Sequence, residues 1–163
     1  MGLDPGLCNL GWGVIDWDES RLGFVSCGTI TTAAAEPMGA RLAALFEGLN
    51  AVLERWSPCE AAVEETFVNG NARSALKLGQ ARGIALLVPA RLGLVVAEYA
   101  PNSIKKTVTG SGHAGKEQIR AMLRILLPQT TPATPDAADA LAIAITHAHH
   151  RRARALAAHY AAV

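Results

Sequence analysis

The hydrophobic periodicity of this chain changes once, and that change constrains the fold more than any other feature. Over the first thirty or so residues the apolar side chains are spaced as in short strands. Leu3 precedes Asp4, Trp12, Val14, Ile15 and Trp17 fall within 10–17, and Phe24, Val25 and Ile30 fall within 22–32. Pro5-Gly6 and Asp18-Glu19-Ser20 separate the three segments as turns, so an antiparallel meander is expected. From about residue 38 the spacing becomes helical, with Leu42, Leu45, Phe46, Leu49 and Leu53 on one face of 38–56 and Ser57-Pro58 ending it. A short apolar run, Ala61-Ala62-Val63, then leads as a buried strand into Glu64. Helices are expected over 73–91, 101–108, 116–127 and 136–159, with a strand at 94–99 and a breaker-rich link at 128–135. Three strands followed by alternating helices and strands predict an α/β fold: a mixed five-stranded sheet, antiparallel in its first three strands and parallel beyond, flanked by helices.

At 163 residues the chain is expected to build one core and one domain, 1–163. Half its residues are hydrophobic and 18% are charged, which argues against disorder. No apolar run reaches membrane-spanning length, and no secretory leader opens the sequence. Cys8, Cys27 and Cys59 are widely spaced and odd in number, which argues against a disulfide framework or a zinc site. A cytoplasmic protein is expected. Only the distribution of charge is informative. Residues 1–72 carry three basic and ten acidic side chains, a balance of −7, and residues 73–127 carry nine basic and two acidic, a balance of +7. Such segregation makes either solvated faces of opposite sign or a carboxylate site flanked by a basic cradle.

Four carboxylates stand where a site could form. Asp4 ends the first strand, at the edge where open α/β sheets place their ligands, although a turn-capping role is the plainer reading. Glu64 ends a buried strand. Its neighbour Glu65 must point to the opposite face, so only one of the two serves a given site. Asp136 and Asp139 are three apart on a helix and share a face. Thr134 and Pro135 are suited to cap that helix, and acids in a first turn complement the dipole without further reason. Asp139, however, lies in a long alanine-rich run that must pack on a sheet, where a carboxylate needs a partner or a cation. If all four converge, hard oxygen donors of this kind suit Mg²⁺ or Mn²⁺, and two such ions could polarise a phosphodiester and activate water.

Other motifs are weaker. Gly110 to Lys116 matches all of a phosphate-binding P-loop except its hydroxyl position, which is Glu117 here. A loop presenting Lys116 to a phosphate is the better reading. His147, His149 and His150, with Arg151, Arg152 and Arg154, read as an exposed basic end. Gly79 and Gly83 in one helix imply close backbone approach, by a partner subunit or by this chain's own sheet. Phe67, in a polar turn with Asn69, Gly70 and Asn71, is either folded onto the core or free to stack on an unpaired base.

Several of these blocks are familiar together. Gly2 to Gly13 (G-L-D-P-G-L-C-N-L-G-W-G), Val63 to Phe67 (V-E-E-T-F), Ser74 to Gly83 (S-A-L-K-L-G-Q-A-R-G) and Asp136 to His147 (D-A-A-D-A-L-A-I-A-I-T-H) resemble, in collinear order, the RuvC family of crossover-junction endodeoxyribonucleases. The opening block alone is unspecific, being similar to the phosphate turn of sugar kinases and actin-like ATPases. The resemblance implies an RNase H-like fold, a homodimer, and Mg²⁺-dependent resolution of four-way (Holliday) junctions by paired symmetric nicks, in recombination and repair near the bacterial nucleoid. It implies two ions per site, with Mn²⁺ able to substitute, held by Asp4, Glu64, Asp136 and Asp139. Lys116 and Lys105 would lie near the scissile phosphate, Phe67 would contact a base, and Asn71, Arg73 and Lys77 would contact DNA. A branch-migration complex of the RuvA and RuvB type is the implied partner. Only three residues precede Asp4, fewer than the family usually has, so a shortened first strand is expected to hold it less firmly. A relative that processes RNA or another branched DNA, a junction-binding module that does not cut, and a phosphotransferase remain the alternatives.

Overall fold

The computed structural model describes residues 1–18, 21–65, 71–130, 132 and 134–161, the side chains of 152–161 excepted. Five strands form one sheet: β1 (Gly2–Asp4), β2 (Asn9–Trp17), β3 (Leu22–Thr31), β4 (Glu60–Glu64) and β5 (Val95–Tyr99). Their spatial order is β3-β2-β1-β4-β5. β1, β2 and β3 pair antiparallel, whereas β4 runs parallel to both β1 and β5, as the change in periodicity predicts. Five helices complete the chain: α1 (Met38–Trp56), α2 (Ala72–Arg91), α3 (Pro101–Thr109), α4 (Lys116–Leu126) and α5 (Pro135–Ala161). The expected Asp18-Glu19-Ser20 turn is described only at Asp18, whose carboxylate accepts from the Arg21 N–H at 2.8 Å.

The sheet separates two apolar cores. One holds Leu3, Leu10, Leu45, Leu49, Leu53, Ala61 and Val63 together with the α2 residues Ala81, Ala85 and Val88. The other holds Ala62, Tyr99, Ile104, Val108, Ile119, Leu123, Leu141, Ile143 and Ile145, under α3, α4 and α5. In β4 and β5 the odd and even residues therefore face different cores, whereas the β2–β3 pairing shifts register between Val14 and Ile15. Ala61 and Val63 belong with Leu3 in the first, and Ala62 in the second.

Helix α5 crosses the sheet at very close range, and glycines make this possible. A methyl at Gly2 would stand 2.1 Å from the Ala140 carbonyl oxygen, and one at Gly11 would stand 2.1 Å from that of Asp136. Both are backbone contacts, which cannot give way as side chains do. β1 is three residues long. It pairs with β2 through all three residues and with β4 through Gly2 and Leu3, and the Ala62 N–H donates to the Met1 carbonyl at 2.9 Å.

The far half of α5 departs from the expected exposed basic end. His147 is buried, its Nδ1 2.9 Å from the Tyr99 hydroxyl and its Nε2 2.8 Å from a Glu60 carboxylate oxygen, while Arg151 pairs with the other oxygen at 3.2 Å. The alanines around it let this turn lie flat on the sheet, so the imidazole is committed to holding α5 against β4 and β5. His149 remains exposed.

Candidate active site

Strand register brings two of the carboxylates together. In the parallel pairing of β1 with β4, Gly2 is opposite Ala62 and Leu3 opposite Val63. Asp4 and Glu64 are the next residues on the same face as Gly2 and Ala62, the face that α5 covers. Glu65 leaves the ladder there, its N–H donating to the Tyr99 carbonyl at 2.9 Å. Gly11, opposite Asp4, touches the Asp136 backbone, so the first turn of α5 stands directly over the end of β1. Thr134 fixes that turn. Its hydroxyl accepts from the Ala137 N–H at 3.1 Å and lies 2.6 Å from the Thr29 hydroxyl on β3. Pro135 occupies the first helical position, as the sequence predicts.

Asp4, Glu64, Asp136 and Asp139 consequently line one cleft of about 470 Å³. Lys105 and Ile104 of α3, Ala114 and Gly115 of the connecting loop, and Lys116 and Ile119 of α4 complete its wall. The glycine-rich stretch thus carries Lys116 to the carboxylates, its Nζ 3.7 Å from Asp139 Oδ2. This settles its role against a nucleotide loop of its own: Gly110 closes α3 in a left-handed conformation, and Gly115 starts α4.

Crowding like charges away from water is unfavourable, and the proton affinities record it. Burial, reinforced by Glu64, Asp139 and Asp136, pushes Asp4 up to about 8, with Lys116 acting in the other direction. Burial also raises Glu64, with Asp139 adding and Lys105 and Lys116 opposing. Asp139 is raised by burial, against the pull of the Lys116 ammonium. As they stand, no three His, Cys, Asp or Glu side chains among the described residues are grouped tightly enough to hold an ion. The donor set nevertheless fits a hard divalent ion: among the described lining residues there are carboxylate oxygens, no sulfur and no imidazole, with the ammonium groups of Lys105 and Lys116 at the rim.

The other predicted residues lie elsewhere. Arg73 and Lys77 are on the first turns of α2, outside the carboxylate cleft. Asn71 is the N-cap of α2, its Oδ1 accepting from the Arg73 and Ser74 N–H groups at 3.1 and 3.2 Å. Phe67 lies outside the described residues. Beyond their own helix, the faces of Gly79 and Gly83 meet no atom of the described residues within 4 Å, so the described sheet does not account for them. Sequence reasoning missed Arg82. Its Nε donates to the Glu64 carbonyl at 3.2 Å and its guanidinium pairs with Glu98, so it braces the end of β4 from behind the cleft. Its place in the Ser74 to Gly83 block was the available signal.

Known proteins with this sequence pattern and fold can be compared directly. Residues 1–147 match the family model described as crossover junction endodeoxyribonuclease RuvC. Proteins of that name from Nitrobacter hamburgensis and Xanthobacter autotrophicus are 60% and 62% identical over 156 and 157 residues. These alignments cover 96% of this chain in both cases and 92% and 93% of those proteins. The solved structure of T. thermophilus RuvC in complex with a Holliday junction substrate superimposes with a TM-score of 0.86 at 35% identity, covering 93% of each chain. The five-stranded mixed sheet with its helices is the RNase H-like fold that the resemblance implied. With three quarters or more of its length matched by that model and by these relatives, the chain belongs to the RuvC family of crossover junction endodeoxyribonucleases.

Proposed function

We propose that this protein resolves four-way DNA junctions by cutting two strands at symmetric positions, in recombination and repair. One observation carries the reading. The register of β1 and β4 brings Asp4 and Glu64 to one face beneath Asp136 and Asp139, in an open cleft rimmed by Lys105 and Lys116. Family membership gives that cleft its substrate class.

Asp4, Glu64, Asp136 and Asp139 would hold two Mg²⁺ ions, and Mn²⁺ suits the same oxygens. Such ions supply Lewis-acid polarisation of the phosphodiester and a water of lowered pKa. The chain's own groups do the rest. The carboxylates orient the attacking side of the phosphate, and Lys116 and Lys105 offer ammonium groups to the charge that builds on its oxygens. No serine or cysteine nucleophile is required.

A dimer fits a two-fold substrate, because two equivalent clefts can address two equivalent strands. The exposed stripe on α2 is its natural seam: Leu76 is 67% exposed, and Gly79 and Gly83 leave room for a second backbone. Phe67, Asn71, Arg73 and Lys77, at or before the start of α2, would touch the junction arms. A RuvA and RuvB type complex would deliver the junction. No described helix is long and apolar enough to cross a membrane. Action in the cytoplasm at the nucleoid is proposed from the family's DNA substrate.

The test is cleavage of a mobile synthetic four-way junction in Mg²⁺, with linear duplex as control and strand-resolved mapping of the products. Paired symmetric nicks on the junction alone, lost in Asp4→Asn, are expected. Random nicking of duplex, or full activity in the variant, refutes the assignment.

A further inference from the structure

A second cleft, of about 380 Å³, opens between α4 and the first turn of α5. It is lined by Arg120, Leu123 and Arg124 of α4, by Thr130 and Pro132 of the link, and by Thr134, Pro135 and Ala138. Ala138 lies between Asp136 and Asp139 in sequence, so the two clefts flank one turn of helix. Three features give this one a chemical character. Arg120 and Arg124 are four apart on α4, hence neighbours on one face, and like charges so placed repel. Among the described residues Arg124 has no ion pair, and Arg120 has only the solvent-exposed Glu117, at 3.2 Å. Between the arginines and α5, Thr130 is 4% exposed and its hydroxyl has no hydrogen-bond partner, the one such buried side-chain oxygen among the described residues. A buried hydroxyl without a partner is costly unless a ligand completes it. At the α5 N-terminus, Thr134 already satisfies the Ala137 and Ala138 N–H groups.

Two forked guanidinium groups and a buried hydroxyl without a partner line a cleft that has no carboxylate among its described lining residues, a set that matches the oxygens of a phosphate. We propose that this cleft holds a backbone phosphate of the DNA strand that enters the carboxylate cleft, with Arg120, Arg124 and Thr130 as its ligands. The inference rests on the junction-cutting function proposed above. A bound DNA strand is favoured over a free anion because the cleft is open and shares a helical turn with the carboxylates. A strand crossing that turn passes both.

The experiment uses the full chain and a fluorescent four-way junction, titrated without divalent cations over a range of salt. Arg120→Gln with Arg124→Gln is expected to weaken binding several-fold at low salt. It should also flatten the slope of log affinity against log salt by about 0.9 for each phosphate that is no longer neutralised. Thr130→Val removes the hydroxyl at constant shape. It is expected to weaken junction binding while raising the melting temperature, a combination that a purely structural threonine would not give. A single methylphosphonate linkage that weakens the wild type and has no effect on the arginine variant would identify the phosphate held. Unchanged affinity and slope in both variants overturn the proposal, provided the wild type cuts the junction in Mg²⁺. So does calorimetric binding of inorganic phosphate that the arginine variant loses while its junction affinity stays normal, since the site would then serve a free anion. A wild type that does not cut junctions overturns the parent reading, and this one with it.

Discussion

Replacing Asp4 by asparagine removes the charge that the folded chain accommodates least well, and the size of the effect follows from the site. Without metal, burial and three neighbouring carboxylates push Asp4 from 3.8 up to about 8. Between those values the folded protein keeps a proton that the unfolded chain has released. Stability therefore falls as pH rises through that window, is unaffected below it, and levels off above it. Each tenfold change in proton affinity is worth about 1.4 kcal/mol, which sets a ceiling of about 4 kcal/mol at pH 7 and about 6 kcal/mol above pH 8. Carboxylates that swing apart and water that enters the cleft reduce the effect, and about 1–3 kcal/mol is expected. For a chain of this size that is a rise of about 3–10 °C in Tm for Asp4→Asn at pH 8. Thermal unfolding in EDTA at pH 4, 6, 8 and 9 is the assay. The two proteins should melt alike at pH 4 and diverge upward from there, the wild type losing more stability than the variant, which keeps the raised carboxylates Glu64 and Asp139. Mg²⁺ should then raise the Tm of the wild type and leave the variant where it was, because only the wild type gains binding energy from the ion. A variant less stable than wild type at pH 8 in EDTA, or a gap that does not widen with pH, would refute the reasoning.

Three further outcomes are expected. Lys116→Met should change stability by no more than about 0.5 kcal/mol, because its ion pair with Asp139 is long and the lysine is 72% exposed. Single-turnover junction cleavage by the same variant should fall about 10²-fold. Gly2→Ala, which sets a methyl against the Ala140 carbonyl, should cost about 3 kcal/mol or more in urea denaturation. Leu76→Asp should shift sedimentation toward the monomer and replace paired nicks by single ones; an unchanged dimer would move the seam away from α2.

Local signals carry most of the element order. Strands and helices are set by spacing along the chain, so α1 runs over the very residues its leucines outline, and the other helices end within about two residues of the expected limits. The convergence of the four carboxylates is a different matter. It depends on how Leu3 aligns with Val63 across two strands nearly sixty residues apart in sequence, and no local pattern encodes that register. Strand alternation alone allows either Glu64 or Glu65 to face the site; the family resemblance names Glu64, and the pairing of β1 with β4 puts that residue on the same face as Asp4. His147 escapes a sequence reading for a related reason. Alanine on all sides of a helix does not show which face meets the sheet, and the partners that bury the imidazole, Glu60 and Tyr99, are distant in the chain. Gly79 and Gly83 show the converse case, a signal present in the sequence that the packing of the described residues does not explain.

The contacts of Gly2 and Gly11 with α5 bear on how such an enzyme can diverge. The height of Asp139 above Asp4 is set where main chain rests on main chain, with no side-chain layer between the sheet and the helix. Substitutions that swell or shrink either apolar core can tilt outer helices without altering that spacing. Catalytic geometry is thereby decoupled from core volume: leucines and valines can drift through generations of compensating exchanges while the carboxylates keep their distances. Two residues with no side chain act as the gauge, and they are the positions where drift should be least tolerated.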